Sequence, residues 1–158
     1  MFRTPDEFQY EQSTLQAGYF TYGANIEGEP LEIGADFIAA FNGDICIGSR
    51  IWEGGFEEGI ATTITAMGDD GELLTEGYLE TGDIPTFRIY DASEDIIYNA
   101  IPESSDNLQF GNNELHEIGM LNGIYPNPYP DEFIFNQSTL QTFYFILDAN
   151  IDGEPLEA

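Results

Sequence analysis

The feature that most constrains this chain is a long segment that occurs near both of its ends. Residues 6–32 read DEFQYEQSTLQAGYFTYGANIEGEPLE and residues 131–157 read DEFIFNQSTLQTFYFILDANIDGEPLE, with 18 identities in 27 aligned positions at a constant offset of 125. A repeat of about 125 residues is too long for a solenoid unit and has the size of a whole domain. The chain therefore contains one complete unit and the opening of a second.

The boundary between the two units falls at a proline-rich segment. Residues 124–130 read IYPNPYP, and proline at every second position favours an extended, semi-rigid spacer. Pro130 precedes the second DEF sequence as Pro5 precedes the first. The predicted organisation is a linker remnant at 1–5, a module at 6–123, a linker at 124–130, and a segment at 131–158 that duplicates the first strands.

Charge and composition limit the partners of the chain. Thirty acidic residues face three arginines and no lysine, which gives a net charge of -27. A chain with this charge is repelled by nucleic acid and by anionic membrane surfaces. No apolar run reaches the 18 residues of a membrane-spanning helix. With 42% hydrophobic and 14% aromatic residues, the chain has enough apolar material for a packed core.

Short strands and turns dominate the pattern of the module. Residues that favour strands are concentrated in six runs, at 15–22, 37–41, 45–52, 60–67, 86–90 and 96–100. Turns rich in Gly, Asn and Asp separate most of them. This pattern indicates an all-β fold, either a barrel or, as we favour, an antiparallel β-sandwich of immunoglobulin-like or jelly-roll-like type. For residues 113–121 a weak helix and a hairpin at Asn112 and Asn113 both stay open.

The second copy of the duplicated segment is the more apolar one. Gly18 is replaced by Phe143 and Thr21 by Ile146, as expected for a strand that is covered on both faces. The predicted assembly strand comprises Leu140, Phe143, Phe145, Ile146 and Leu147. One interpretation is that this strand completes a neighbouring subunit, because an unpaired edge is a template for another chain. The other is that it begins the next covalent module, and both predict a head-to-tail polymer.

Three stretches of the module carry a resemblance to a known kind of protein. They are AAFNGDICIGSRIW at 39–52, MGDDG followed by TEGY within 67–78, and GDIPTFRIYDASEDIIYNAIPE at 82–103. They resemble tandem β-rich modules of large secreted bacterial proteins, which commonly carry a C-terminal sorting domain for type IX secretion. The resemblance implies an extracellular product, attached to the cell surface or released, with no catalytic role.

Three loops place oxygen-bearing side chains at spacings that calcium sites use. The sequence from Asp148 to Gly153 matches the first half of a calcium-binding loop, but the twelfth position would be residue 159, beyond the printed sequence. The candidate ligands in the three loops are Asp69, Asp70, Glu76, Asp91, Ser93, Asp95, Asp148, Asn150 and Asp152. Each loop offers fewer than the six to eight oxygens that Ca²⁺ requires, so solvated turns are the alternative. The Asp69–Asp70 turn is the favoured place for an ion.

Other chemistry has less support in the sequence. His116 is the sole histidine and lies in no recognisable catalytic motif. Cys46 is the sole cysteine, so no disulfide forms within the chain, and its isoleucine neighbours indicate a small buried side chain. Four aromatic residues form either a glycan-stacking platform or part of the core: Trp52, Tyr78, Tyr90 and Tyr98.

These observations predict a non-enzymatic module with a structural or adhesive role in an extracellular filament or cell-surface polymer. Its expected partners are other copies of itself, assembled head to tail through the duplicated segment. The alternative is a carbohydrate-binding module of a secreted protein, with polysaccharide as partner and with calcium assistance. Binding to nucleic acid and insertion into a membrane are not expected.

Overall fold

The computed structural model describes residues 3–104, 107–124, 150–151 and 154–155. The chain divides into two compact units, Met1–Pro128 and Tyr129–Ala158. The described strands of the first unit are β1 (Gln16–Ile26), β2 (Glu29–Pro30), β3 (Phe37–Asn42), β4 (Ile45–Ile51), β5 (Thr62–Met67), β6 (Thr86–Asp91), β7 (Ile96–Pro102) and β8 (Leu115–Ile124). Short 3₁₀ turns lie at Asp6–Phe8, Phe56–Glu58 and Leu73–Thr75.

These strands form one mixed sheet in the order β2-β1-β8-β7-β6-β3-β4, and β5 also pairs with β1. The all-β class predicted from the sequence is confirmed. The pairs are antiparallel except for β1 with β8, which run parallel, whereas the sequence predicted antiparallel pairing throughout. The helical alternative for residues 113–121 is wrong, because β8 covers most of that segment.

The sheet curls until its two ends meet. At one end β5 pairs with β1, and at the other β4 pairs with β3. The backbones of β4 and β5 touch at Gly48, where a Cβ atom would overlap the carbonyl oxygen of Thr65. The inner face of the curled sheet encloses the main core, which includes Tyr19, Ile47, Ile64, Ile89 and Ile118.

Strand β3 is buried on both faces, which accounts for its uninterrupted apolar sequence. Ile38 and Ala40 face the main core. Phe37, Ala39 and Phe41 belong to a second cluster with Phe8 and Cys46. The N-terminal 3₁₀ turn therefore covers the outside of the sheet at this strand.

The described part of the second unit consists of two short strands, β9 (Asn150–Ile151) and β10 (Glu154–Pro155), which pair with each other antiparallel. Within the described residues, no helix has both the length and the apolar character needed to cross a membrane.

Candidate functional site

Strand β1 is the longest strand in the first copy of the duplicated segment, residues 6–32, and it occupies a central position in the sheet. Residues 16–21 pair antiparallel with β5, and residues 18–26 pair parallel with β8. Without β1, both of these strands would present unpaired backbone groups, which is the situation that recruits a strand from another chain. We refer to the space that β1 fills between β5 and β8 as the β1 slot.

Tyr19 is the main contact between β1 and the core. Its ring stacks on His116 with centroids 4.8 Å apart and meets the edge of Phe87 at 5.8 Å. Its hydroxyl donates a hydrogen bond of 3.1 Å to the carbonyl oxygen of Leu108. Desolvation raises the pKa of Tyr19 far above its ordinary value. The second copy has tyrosine at the matching position, Tyr144, so it carries the same core side chain.

Thr21 lies at an irregularity in the pairing of β1 with β8. The register shifts on both sides of it, so that Tyr22 and Ile118 have no partner in the ladder. The Thr21 hydroxyl lies within hydrogen-bond distance of the carbonyl oxygens of Gly23, at 2.6 Å, and of Gly119. Gly119 has a φ of 64°, a conformation that favours glycine. The bulge therefore depends on a hydroxyl in one strand and a glycine in the other.

The second copy lacks the residues that make this bulge. Ile146 replaces Thr21 and Asp148 replaces Gly23. Isoleucine has no hydroxyl to bond the Gly119 carbonyl. The replacement of Thr21 is visible when the two copies are aligned, but the alignment does not indicate that Gly119 takes part in the bulge. The available signal there was an isolated glycine within an otherwise strand-like segment.

The outer face of β1 differs between the copies as well. Gly18, Phe20 and Tyr22 lie on the partly exposed face of the strand. A Cβ atom at Gly18 would lie 2.7 Å from the Cδ1 atom of Leu115, whose side chain is largely exposed and free to turn aside. In the second copy these three positions hold phenylalanine, phenylalanine and leucine. The added apolar volume thus falls on a face that is incompletely covered in the first copy.

One part of the second copy is described well enough to compare its pairing with the first. In the first copy Asn25 pairs with Pro30 and Ile26 with Glu29. In the second, Asn150 pairs with Pro155 and Ile151 with Glu154. Each of these residues lies 125 positions after its counterpart, so the two hairpins have the same register. The predicted assembly residues Leu140, Phe143, Phe145, Ile146 and Leu147 lie outside the described residues.

The chain enters and leaves the first module at the same end of the sheet. A surface cleft of about 420 Å³ is lined by residues 3–7 together with Tyr90 and Ile97, which flank the turn between β6 and β7. Ile124, at the end of β8, pairs with Asn99, two residues along β7 from Ile97. Residues 3–7 and Ile124 therefore lie towards the same end of β7, whereas β1 starts at the opposite end of β8, where Gly18 pairs with Leu115.

The carboxylates of the predicted calcium loop at Asp69 and Asp70 accept hydrogen bonds from the chain itself. Asp70 accepts the Thr14 N–H at 2.9 Å and the Thr75 hydroxyl at 2.7 Å, and these bonds hold the pKa of Asp70 well below its usual range. Asp69 accepts the Gly71 N–H at 2.9 Å. The turn is thus fastened to the residues just before β1.

The second predicted loop is organised in the same manner. Asp91 accepts the backbone N–H and the hydroxyl of Ser93 at 2.8 and 2.7 Å. Asp95 accepts the hydroxyl of Tyr90 at 2.8 Å. These are bonds that close a turn, and they account for aspartate at these positions without an ion.

The described residues contain no group of three or more His, Cys, Asp or Glu side chains placed to hold a metal ion. Glu76 is exposed beside the Asp69–Asp70 turn and joins no such group. Asp148 and Asp152 lie outside the described residues, and Asn150 is described as part of β9. Calcium binding stays a prediction.

The four aromatic residues proposed for glycan stacking do not form an exposed platform. Trp52, Tyr78 and Tyr98 are 4%, 6% and 1% exposed. Tyr90 is half-buried, and its ring packs against Phe8 and Phe37. A buried ring cannot stack on a sugar, so the platform predicted from these residues is wrong and they are core and core-edge residues.

The remaining reactive side chains lie in the packed interior or at its margin. Cys46 is buried, as the sequence predicted, and burial raises the pKa of its thiol to about 11. His116 Nε2 lies 3.4 Å from Glu114 Oε2, without the geometry of a hydrogen bond. A protonated thiol at neutral pH is a poor nucleophile.

Comparisons of the chain with protein-family models, curated proteins and solved structures gave no match.

Proposed function

We propose that this chain is a structural or adhesive module of an extracellular, repeat-built polymer, and that residues 131–158 form the junction with the next unit. The observation that carries this proposal is the hairpin shared by the two copies. The same four residue types pair in the same register, 125 positions apart. A segment that forms the first module's hairpin a second time is expected where another module of the same kind begins.

The position of β1 supports an assembly role for its copy. A strand that lies between two others supplies main-chain hydrogen bonds on both of its edges. A second copy of such a strand has matching backbone groups for any module whose own β1 is displaced or absent.

The differences between the copies affect how the second copy would occupy the β1 slot of an identical chain. Ile146 cannot make the hydrogen bond of Thr21 to Gly119, so insertion gives up one contact with the bulge of β8. The apolar outer positions of the copy favour a strand that is more completely covered than β1 is here. A donated strand would therefore make fewer contacts with the bulge and be covered more completely on its outer face than β1 is.

The extracellular location rests on the resemblance of residues 39–52, 67–78 and 82–103 to modules of secreted bacterial proteins, and on charge. A chain with a net charge of -27 and no lysine remains soluble and avoids nucleic acid. Glycan binding is not proposed for the aromatic residues discussed above, because three of the four rings are buried.

Electron microscopy of the purified full chain tests the proposal. A polymer module should form filaments of regularly spaced globules at concentrations where the chain assembles. Dispersed single globules over the whole accessible concentration range would refute the polymer role. A chain with Ile151→Pro, which removes a backbone donor in the second hairpin, should lose filaments if that hairpin belongs to the junction. Ile84→Pro, at an exposed position in a loop outside the strands, is the matched control.

A further inference from the structure

A groove of about 510 Å³ opens on the surface beside the second half of β1. It lies where this edge of the strand has no partner, between the end of the β5 ladder at Thr21 and the start of the β2 ladder at Asn25. The loop that contains the Phe56–Glu58 turn forms its opposite wall. Residues 22–25 of β1 and Met120 of β8 contribute to its lining, so the groove is formed when β1 occupies its slot.

The wall of the groove is held in place by backbone contacts. Gly55 packs so closely on Tyr22 that a Cβ atom would overlap the Tyr22 carbonyl oxygen. The Gly55 N–H donates a 2.7 Å hydrogen bond to the carboxylate of Glu58. Gly59 ends the turn in the left-handed conformation with a φ of 70°. The turn is therefore fixed against β1 and presents its side chains at a defined place.

Large apolar side chains line the groove and remain exposed. Phe56 is 79% exposed and Ile33 is 52% exposed. The ring of Tyr22 meets that of Phe56 edge to face at 6.4 Å. Trp52 forms the floor. An exposed cluster of this kind marks a binding surface more often than an isolated apolar residue does.

Carboxylates accompany the aromatic rings in this groove. Glu57 and Glu58 lie on the same turn as Phe56, and both are exposed. Aromatic faces next to carboxylates favour a cation, because the ring quadrupole and the negative charge attract it together. A guanidinium fits such a site better than an ammonium, because it stacks on rings and bonds carboxylates through a planar fork.

The chain itself has no spare cation for this groove among its described residues. Each of its three arginines is paired with an acid, in the pairs Arg3–Asp6, Arg50–Glu53 and Arg88–Asp44. A second copy would bring the same three arginines, each already paired with an acid, and therefore offers no free guanidinium to Glu57 among the described residues. Charge complementarity therefore favours a basic partner over a second copy.

We propose that the groove between Tyr22 and Phe56 binds an arginine-bearing, extended apolar segment of a basic partner protein. The guanidinium lies against the ring of Phe56 and bonds Glu57, and the flanking apolar side chains cover Tyr22 and Ile33. The chain would use this interaction to attach to something other than itself.

Calorimetric titration of the full chain with acetyl-Gly-Leu-Arg-Leu-Gly-amide tests the proposal, with the same peptide carrying citrulline in place of arginine as the neutral control. Trp52 is the sole tryptophan of the chain and lines the groove, so its fluorescence reports binding at this place. We expect the arginine peptide to bind about tenfold more tightly than the citrulline peptide and to shift the Trp52 emission.

Two pairs of variants locate the site. Phe56→Ala should weaken binding about tenfold and Glu57→Gln about threefold. The controls are Leu73→Ala and Glu72→Gln, because Leu73 is 83% exposed in another 3₁₀ turn and Glu72 directly precedes that turn, and they should leave the affinity unchanged. Equal affinities for the two peptides, no binding, or equal losses in the Phe56 and Leu73 variants would overturn the proposal.

Discussion

The two copies of the duplicated segment agree at two of the three buried core residues of β1, and they differ at Thr21, which contacts β8, and at two positions on the outer face. Tyr19 and Ala24 have identical counterparts in Tyr144 and Ala149, whereas Ala17 is replaced by Thr142. Thr21, which stabilises the bulge, has an isoleucine counterpart. The shared residues pack the strand on the core of this fold. The changed residues fit the strand to one particular neighbouring strand.

The shared and the changed residues indicate different things about the second copy. The core-facing residues that the copies share, above all the tyrosine, allow the second copy to build a similar core, and the shared hairpin register agrees with that. The changed residues make the two copies unequal partners for the β8 strand described here. We infer that the first copy makes more contacts with this β8 than the second copy would make.

The largest expected effect concerns the core-facing position that both copies share. Tyr19→Ala removes a buried ring that contacts His116 and Phe87, and it should lower the free energy of unfolding by about 3–5 kcal/mol. Tyr22→Ala, on the outer face of the same strand, should cost less than about 1 kcal/mol. Urea denaturation followed by circular dichroism measures both. Similar losses at the two positions would contradict the assignment of faces.

A substitution that turns the first copy into the second at the bulge should have an intermediate effect. Thr21→Ile removes the hydroxyl of a fully buried side chain and leaves the Gly119 carbonyl without it, and it should destabilise the module by about 1–3 kcal/mol. Thr21→Ser keeps the hydroxyl and should cost clearly less.

Urea denaturation can also test a substitution that introduces the residue of the second copy at the outer face of β1. A Cβ atom added at Gly18 closely approaches only the end of the exposed Leu115 side chain, so we expect Gly18→Phe to lower the free energy of unfolding by less than about 1 kcal/mol.

Urea denaturation also measures the effect at the bulge. If Thr21→Ile lowered the free energy of unfolding no more than Thr21→Ser, the bulge would not distinguish the two copies.

The smallest expected effect is a change in acid sensitivity at the turn that fastens the start of β1. Hydrogen bonds from Thr14 and Thr75 hold the pKa of Asp70 well below its usual range. Unfolding returns that pKa to about 4, so the charged carboxylate stabilises the fold above that pH and loses this effect as the pH falls below it. Asp70→Asn should therefore lower the Tm at pH 7 and flatten its decline towards pH 3.

Thermal unfolding at a series of pH values measures this dependence, and Asp44→Asn is the control, since the Asp44 side chain is fully exposed. Parallel Tm profiles for the Asp70 variant and the unmodified chain would show that the turn does not stabilise the folded state through its charge.

Much of the fold could be predicted from local sequence patterns. The apolar runs at 37–41, 45–52, 86–90 and 96–100 correspond to β3, β4, β6 and β7, because strands buried in a sheet require such side chains. Strand β8 was not predicted as a strand, because Gly119, Asn122 and Gly123 interrupt its pattern. Its parallel pairing with β1 joins residues far apart in sequence, and no local pattern carries that information.

The candidate sites were harder to predict for a related reason. The sequence places aromatic residues at positions 52 and 98, but it does not show whether their rings face solvent or the core. In the structure both are buried. Aspartates that close turns and aspartates that bind calcium share the same spacing, and the sequence does not show the hydrogen bonds that Asp70 and Asp91 accept within their turns. The groove beside Phe56 is assembled from segments that have no common motif.

Sedimentation of the full chain, compared with a chain that ends at Pro130, tests the central claim that residues 131–158 form the assembly junction. Both chains retain β1 to β8. We expect the full chain to sediment as larger species with increasing concentration, whereas the shortened chain stays monomeric and folded. Equal assembly of the two chains, or a full chain that remains monomeric at every concentration, would contradict it.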